Sequence, residues 1–377
     1  MMDHAFLRRL AMAALAALLA SCGGGGSSSS DPAPLASAFP PSWTFANTCT
    51  PEREKQYVRS FLDETYLWYD EIPAVDPAAF SSVPAYFTAL LVKPKDRFSA
   101  VRDSTGGKLL AGAARSVPLV RVVASPAGRR AGYILFNDHN AGAQDELIAA
   151  FQELRTAGVD DLVLDMRYNV GGYLYVAQAA ASMVTGPQSE GRIFEQLRYN
   201  AKRQADTAAG TYLFSSRVQT AEAAYPRGAE LPQLMLPRVY VLASGQTCSA
   251  SESIINSLRG IDVDVVVVGS TTCGKPFGFH RQDNCGLSYY AIEFQGYNAK
   301  NSGDYTDGIA PTCQVADDFL GVLGTPTEPL LAAALKHMDT GACPAPMQSK
   351  MSEGLAIGGR ANAPLASRQP WEGRLLK

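Results

Sequence analysis

Residues 239–275, VYVLASGQTCSASESIINSLRGIDVDVVVVGSTTCGK, contain the pattern that decides the fold. The runs Val239–Ala243 and Val263–Gly269 are short, apolar and rich in valine, which predicts two buried strands. Between them, Ser249–Arg259 carries apolar residues at helical spacing. A strand, a helix and a second strand in this order predict two parallel strands joined by a right-handed crossover.

The same alternation extends toward the N-terminus. Tyr133–Phe136 and Asp161–Asp165 are predicted strands, and Ala143–Thr156 and Tyr175–Val184 are predicted helices. Together they indicate an α/β core with a largely parallel sheet. Further upstream, Pro51–Glu71 has the apolar spacing of an amphipathic helix, which predicts a small N-terminal helical region.

Two chemically useful side chains are predicted at one edge of this sheet. Ser249 begins a predicted helix, where the simplest interpretation is a helix cap completed by Glu252 in a capping box. Lys275 follows the next strand, and the crossover brings the helix start and both strand ends together. Burial would let Lys275 lose its proton and act as a base, whereas an exposed loop lysine would stay charged.

A glycine pair is predicted at the same edge. Gly171 and Gly172 follow the strand Asp161–Asp165, and glycine N–H groups can approach a developing oxyanion without steric hindrance. A tight turn is the plainer alternative. Neither the P-loop pattern nor the dinucleotide-binding pattern of glycines is present.

Three sequence blocks carry a resemblance to a known family. DLVLDMRYNVGGYL (161–174), TCSASE (247–252) and GSTTCGKPFGF (269–279) resemble, in this order, the core motifs of the carboxyl-terminal processing peptidases, which are tricorn-like serine peptidases. GYILFNDH and SGDYTDGIAPTCQVADDF resemble the lipoprotein branch. The similarity covers roughly Arg130–Met338. Each block alone is a moderate signal, and the blocks together are a strong one.

The resemblance implies a Clp protease/crotonase-type core and a serine-type endopeptidase that cleaves exported polypeptides without a cofactor or metal. It places Ser249 as the nucleophile and Lys275 as the base of a Ser–Lys dyad. The oxyanion donors would be the backbone N–H of Ala250 and of Gly171 or Gly172. The alternative is a non-catalytic peptide- or ligand-binding lipoprotein that keeps the fold.

The sequence departs from the family pattern at two points. Only residues 101–130 separate the N-terminal helices from the core, where a PDZ domain would be expected, so selection of substrate tails by strand addition is in doubt. The glutamine that some members carry four residues after the lysine is replaced by Phe279. Gln282 or His280 are the candidate substitutes.

The first residues resemble a lipoprotein export signal. Arg8 and Arg9 precede an apolar run and Leu19-Ala20-Ser21-Cys22, so we expect cleavage after residue 21 and a lipid on Cys22. A Gly/Ser tract follows, as in a flexible tether. The sequence therefore predicts a bacterial lipoprotein, anchored to the membrane by lipid alone, that faces the periplasm or the cell exterior.

Composition and cysteine content bear on nucleic-acid binding, disulfides and metal sites. A formal charge of −3 with 18% charged residues gives no indication of nucleic-acid binding. Without Cys22, six cysteines remain, which is compatible with three disulfides in an exported chain. Cys273 and Cys285 flank a short predicted loop and are the pair we expect. No CxxC is present and the histidines are scattered, so no metal site is predicted.

These features divide the chain into six predicted parts. They are a signal peptide (1–21), a flexible linker (22–40), an N-terminal helical region (41–100), a short connector (101–130), a peptidase catalytic domain (131–343) and a disordered tail (344–377).

Overall fold

The computed structural model of the protein describes residues 38–104, 115–319 and 321–345. The predicted signal peptide, Cys22 with most of the linker, and nearly all of the predicted tail lie outside these residues. Those assignments stay predictions.

The described residues form helices and strands in a mixed α/β arrangement. The helices are α1 (Pro51–Thr65), α2 (Val83–Leu90), α3 (Ala143–Ala157), α4 (Leu174–Val184), α5 (Gln204–Ala209), α6 (Ala250–Gly260) and α7 (Pro329–Thr340). The strands are β1 (Ala100–Asp103), β2 (Leu119–Ala124), β3 (Arg130–Leu135), β4 (Asp161–Asp165), β5 (Ile193–Tyr199), β6 (Thr211–Leu213), β7 (Arg238–Ala243), β8 (Asp264–Gly269), β9 (Phe277–Gly278), β10 (Gln282–Asn284), β11 (Leu287–Tyr290), β12 (Phe294–Tyr297) and β13 (Cys313–Gln314). None of these described helices has the length and apolar character needed to cross a bilayer.

A six-stranded sheet forms the centre of the fold, in the order β13-β8-β7-β4-β3-β2. Every neighbouring pair is parallel except β2 and β3, which are antiparallel. The predicted parallel pairing of Val239–Ala243 with Val263–Gly269 is confirmed, because β7 and β8 pair along their whole length. The sequence-based expectation of an α/β core is confirmed as well.

Helices cover both faces of the central sheet. Successive strand residues point to opposite faces, so Leu162 and Leu164 pack in the core that contains α3, α4 and α6. Val163, between them, packs in a separate core with Leu330 and its neighbours on α7. All five residues of β4 are buried, as expected of a strand in the middle of a three-layer structure.

The predicted connector is not a bare linker. Its described residues include most of β1 and all of β2, and β2 pairs with β3 as a hairpin turned at Gly128, which has φ +86°. The apolar run at 117–123 therefore completes the central sheet at its edge. No PDZ domain lies within the residues that the structure describes.

The N-terminal helical region has its own core, which it shares with a distant part of the chain. Residues of α1 and α2 pack with Phe98, Phe277, Tyr289 and Ile292 in one cluster. Two antiparallel sheets, β1-β11-β10 and β6-β5-β12-β9, complete the architecture. Helix α1 is shorter than predicted, because Tyr66 leaves the helix and buries its hydroxyl against Asp96 Oδ2 at 2.8 Å.

The six cysteines of the described chain form three disulfides: Cys49–Cys285, Cys248–Cys273 and Cys313–Cys343. The predicted Cys273–Cys285 pair is wrong. The segment between these two cysteines is not a simple loop, since it contains β9 and β10 and carries its ends to different partners. Sequence proximity therefore gave the wrong pair.

Candidate active site

Three loops meet at the edge of the central sheet where β4, β7 and β8 end. The strand ends are aligned, with Asp165 opposite Leu242 and Ala243 opposite Gly269. The loops are also bonded to each other. Cys248 N–H donates to Asn169 O (3.1 Å) and Cys273 N–H donates to Thr247 O (3.1 Å).

Ser249 lies in the loop after β7 and starts α6. Its backbone has φ +59° and ψ −116°, a conformation that costs a non-glycine residue on the order of 1–3 kcal/mol and is concentrated at functional sites. The side chain has no exposed surface, and Oγ has no hydrogen-bond partner among the described residues. A buried serine hydroxyl without a hydrogen-bond partner, on a strained turn between a strand and a helix, is a candidate for a chemical role.

The glycine pair packs directly on this serine. Gly171 has φ +96°, and a Cβ there would lie 2.7 Å from Cys248 O, 2.9 Å from Ala250 N and 3.0 Å from Ser249 Cβ. Only a glycine fits this position without displacing the backbone at Ser249. Gly171 N–H donates to Asn169 Oδ1 at 2.9 Å, which leaves Gly172 and Ala250 as the neighbouring amides to consider as oxyanion donors.

His139, to which the sequence assigned no role, contacts the other side of this glycine turn. A Cβ on Gly172 would lie 2.7 Å from His139 O. The imidazole is buried, Nδ1 lies 3.0 Å from Asn169 Oδ1, and Nε2 has no hydrogen-bond partner in the described chain. Burial lowers the pKa of His139 to about 3, although the bond to Asn169 opposes the shift. The ring is neutral at physiological pH.

Lys275 is also fully buried. Its Nζ lies 4.6 Å from the centre of the Phe279 ring and 5.3 Å from that of the Phe98 ring. Phe98 comes from the N-terminal region, so two separate parts of the chain enclose the lysine. Of the two candidate substitutes for the missing glutamine, His280 is paired with Glu293 (3.0 Å) and Gln282 is exposed on β10.

Glu252 joins the two loops that carry Ser249 and Lys275. Its Oε2 accepts hydrogen bonds from Ser249 N–H and from Lys275 N–H, each at 2.8 Å. Its Oε1 accepts from Thr272 Oγ1 (2.5 Å) and Gly274 N–H (2.8 Å). One carboxylate oxygen therefore brings the backbones of both residues together.

The Glu252 side chain does more than the helix capping predicted for it. It is fully buried, and burial raises its pKa above the ordinary value, while the hydrogen bonds from Thr272, Lys275, Ser249 and Gly274 act in the opposite direction. A carboxylate that satisfies donors on two loops fixes their relative position. Sequence spacing indicated the bond to Ser249 but gave no signal for the bonds to the second loop.

The chain has relatives among the peptidases. Residues 130–315 match peptidase family S41, and residues 53–100 match the peptidase S41 N-terminal domain. A carboxyl-terminal-processing protease from Picosynechococcus sp. is 28% identical over 214 residues, which are 55% of this chain and 45% of that protein. The matched part thus spans less than half of that relative.

One solved structure in particular shows a similar fold. A protein from Bacteroides fragilis assigned to the S41 proteases superposes with a TM-score of 0.63 at 21% identity, over 76% of this chain and 97% of that one. The photosystem II D1 C-terminal processing protease gives a TM-score of 0.42 at 22% identity, over 58% and 55% of the two chains. The two family matches together extend over more than half of the sequence. The chain belongs to peptidase family S41.

Proposed function

We propose that the protein is a serine endopeptidase that uses Ser249 as nucleophile and Lys275 as general base. The observation that carries the proposal is the pair of backbone hydrogen bonds from Ser249 and Lys275 to a single oxygen of Glu252. The strained backbone and unpartnered hydroxyl of Ser249 support the assignment. Membership of a peptidase family supports the reaction class.

The proposed reaction is an acyl transfer in two halves. The neutral amine of Lys275 takes the proton of Ser249 Oγ, and Oγ bonds to the scissile carbonyl carbon. The amide N–H groups of Ala250 and Gly172 stabilise the tetrahedral oxyanion, since the N–H of Gly171 is bonded to Asn169 Oδ1. The lysine then protonates the leaving amine as the C–N bond breaks, and water hydrolyses the resulting ester to regenerate Ser249.

The surroundings of Lys275 act on its charge in two directions. Burial removes water from the ammonium ion and favours the neutral amine that a base requires. The faces of Phe98 and Phe279 attract the ammonium ion that forms during turnover. The two effects together suit a group that must both accept and return a proton.

The family and the predicted leader support a proposal for the substrate and the location. We propose that the enzyme cleaves polypeptides in the exported space and is held at the membrane by a lipid on Cys22. The named relative is a carboxyl-terminal-processing protease, but no PDZ domain is present in the described chain. We therefore propose cleavage of unfolded polypeptides without dependence on a PDZ-bound tail.

The test is hydrolysis of denatured casein by the purified protein and by three variants. Ser249→Ala and Lys275→Ala should each lower the rate at least about a thousandfold, because the dyad acts as a unit. Ser257→Ala is the matched control. It removes a second buried, unpartnered serine hydroxyl from the same helix, and we expect it to retain most of the activity.

A fluorophosphonate probe separates this function from the binding-protein alternative. We expect covalent labelling of the wild type and of Ser257→Ala at Ser249, and none of Ser249→Ala. Absence of labelling in folded, disulfide-intact wild type would contradict the peptidase assignment. Near-full turnover by Lys275→Ala would contradict only the role of the lysine and would leave the peptidase assignment in place.

A further inference from the structure

The two cysteines of the Cys248–Cys273 disulfide lie close in sequence to the two proposed catalytic residues. Cys248 immediately precedes Ser249, and Cys273 lies two residues before Lys275. The other two disulfides of the described chain are elsewhere. One joins Cys49 to Cys285, and the other joins Cys313 in β13 to Cys343 beyond α7.

The loop that carries Lys275 has little regular structure of its own. Residues 270–276, between β8 and β9, are neither helix nor strand. Apart from the disulfide, this loop is held to the Ser249 turn by Glu252 and by the hydrogen bond from Cys273 N–H to Thr247 O. Hydrogen bonds allow such a loop to open locally, whereas a covalent link limits how far it can move.

We propose that the Cys248–Cys273 disulfide is a positioning link that holds the Ser249 turn and the Lys275 loop in catalytic register, so that peptidase activity requires this one disulfide to be oxidised. The inference rests on the proposed Ser–Lys chemistry. Small displacements of reacting groups lower rates steeply, by about a hundredfold for 1 Å. A link one residue from the nucleophile controls such displacements directly.

The two sulfur atoms differ in accessibility, which gives reduction a route. Cys248 is buried and Cys273 is partly exposed. The thiolate of a dithiol reductant attacks Cys273 Sγ, the S–S bond breaks, and Cys248 leaves as a thiolate that takes up a proton. The second thiol of the reductant then forms the reductant's own disulfide and releases Cys273 as a thiol. Two electrons and two protons are transferred in total.

The experiment compares two double variants. Cys248→Ala/Cys273→Ala removes the proposed link, and Cys313→Ala/Cys343→Ala removes a disulfide with a similar sequence separation, 30 against 25 residues. Their effects on the unfolded chain are therefore comparable. We expect casein hydrolysis by the first to fall at least about tenfold relative to the second, at matched melting temperature. Equal activities of the two variants would overturn the proposal.

A readout independent of activity is the reactivity of Lys275. Its side chain has no exposed surface, so acetylation by an N-hydroxysuccinimide ester should be slow in the wild type and in the Cys313→Ala/Cys343→Ala control. We expect Lys275 in the Cys248→Ala/Cys273→Ala variant to react several times faster, as measured by peptide mass spectrometry. Unchanged reactivity would show that the loop holds its position without the disulfide.

Partial reduction of the wild type covers the case in which the double variant fails to fold. The protein is treated with a dithiol, alkylated and mapped, and residual activity is compared with the alkylation of each cysteine. Loss of activity should follow the alkylation of Cys248 and Cys273. In a parallel reduced sample that is left unalkylated, activity should return on reoxidation. Full activity with this pair alkylated would refute the inference. Activity that survives Ser249→Ala or Lys275→Ala would instead refute the proposed dyad.

Discussion

Glu252 shows how much one buried side chain organises in this molecule. Its position three residues after Ser249 was enough to predict a helix cap, because capping depends only on neighbours along the helix. Its bonds to Thr272, Gly274 and Lys275 depend on the position of the loop between β8 and β9. Local sequence carries no information on the position of that loop, so this part of the site required the structure.

Gly171 provides a test of the glycine turn at single-residue resolution. Gly171→Ala should lower the rate of casein hydrolysis by about a hundredfold, because the new methyl group would overlap Cys248 O and displace the backbone at Ser249. Gly142→Ala is the control, since Gly142 has nearly the same φ, +95° against +96°, but open space around its Cβ position. The measurement is the rate of casein hydrolysis alongside the melting temperature.

Both glycine variants should lose stability through backbone strain, on the order of 1–2 kcal/mol. Only Gly171→Ala should also lose catalytic activity by more than this loss of stability explains. Wild-type turnover in Gly171→Ala would mean that the turn can shift without consequence for the serine.

At the scale of elements, the core strands and helices were predictable from short-range patterns. The strand at Asp161–Asp165 agrees with the prediction, and the helix predicted at Ser249–Arg259 spans Ala250–Gly260. The antiparallel strands β5 and β12 were not predicted. They pair across about a hundred residues of chain and have neither the alternation nor the tight turn that marks a hairpin.

A buried ion-pair network connects the glycine loop to α7. Arg167 bonds both oxygens of Asp165 at 2.9 Å and both oxygens of Glu328 at 2.7 and 2.9 Å. Glu328 also caps α7 by accepting from the backbone N–H groups of Leu330 and Leu331. Burial alone would lower the pKa of Arg167, but the two carboxylates raise it above its ordinary value. The guanidinium ion is thus held charged inside the fold.

Glu328→Ala should therefore be strongly destabilising. It removes a helix cap and one of the carboxylates that pair with the buried charge of Arg167, so the free energy of unfolding should fall by about 3–5 kcal/mol. Glu71→Ala breaks the exposed bridge to Lys95 and should cost less than about 1 kcal/mol. Urea unfolding followed by circular dichroism measures both. Similar values for the two variants would contradict the role given to the network.

At the scale of the whole molecule, the N-terminal region and the peptidase part share a core. Tyr289 OH donates to Glu54 Oε1 at 2.5 Å, Cys49 is bonded to Cys285, and Phe98 faces Lys275. The sequence predicted the helical region as a separate part because its periodicity is local. The apolar partners of that region lie near residues 277–292, too far along the chain for a pattern to reveal.

A chain that lacks the N-terminal region should consequently fail as an enzyme. Residues 115–345 without 38–104 would expose Phe277, Tyr289 and Ile292 to water, and we expect aggregation or loss of cooperative unfolding. Residues 38–345 serve as the control. Size-exclusion chromatography and casein hydrolysis provide the measurements. A soluble, active 115–345 fragment would show that the shared core is dispensable.

The complete burial of Ser249 and Lys275 has a consequence for pharmacology. If substrates and reversible inhibitors reach only an opened form, their apparent dissociation constants are the intrinsic ones divided by the fraction of molecules that are open. If opening costs about 1.4 kcal/mol, the measured affinity is tenfold weaker than the intrinsic affinity for the open form. Screening against the resting enzyme would then undervalue good ligands, and an irreversible warhead would accumulate at a rate set by the opening equilibrium.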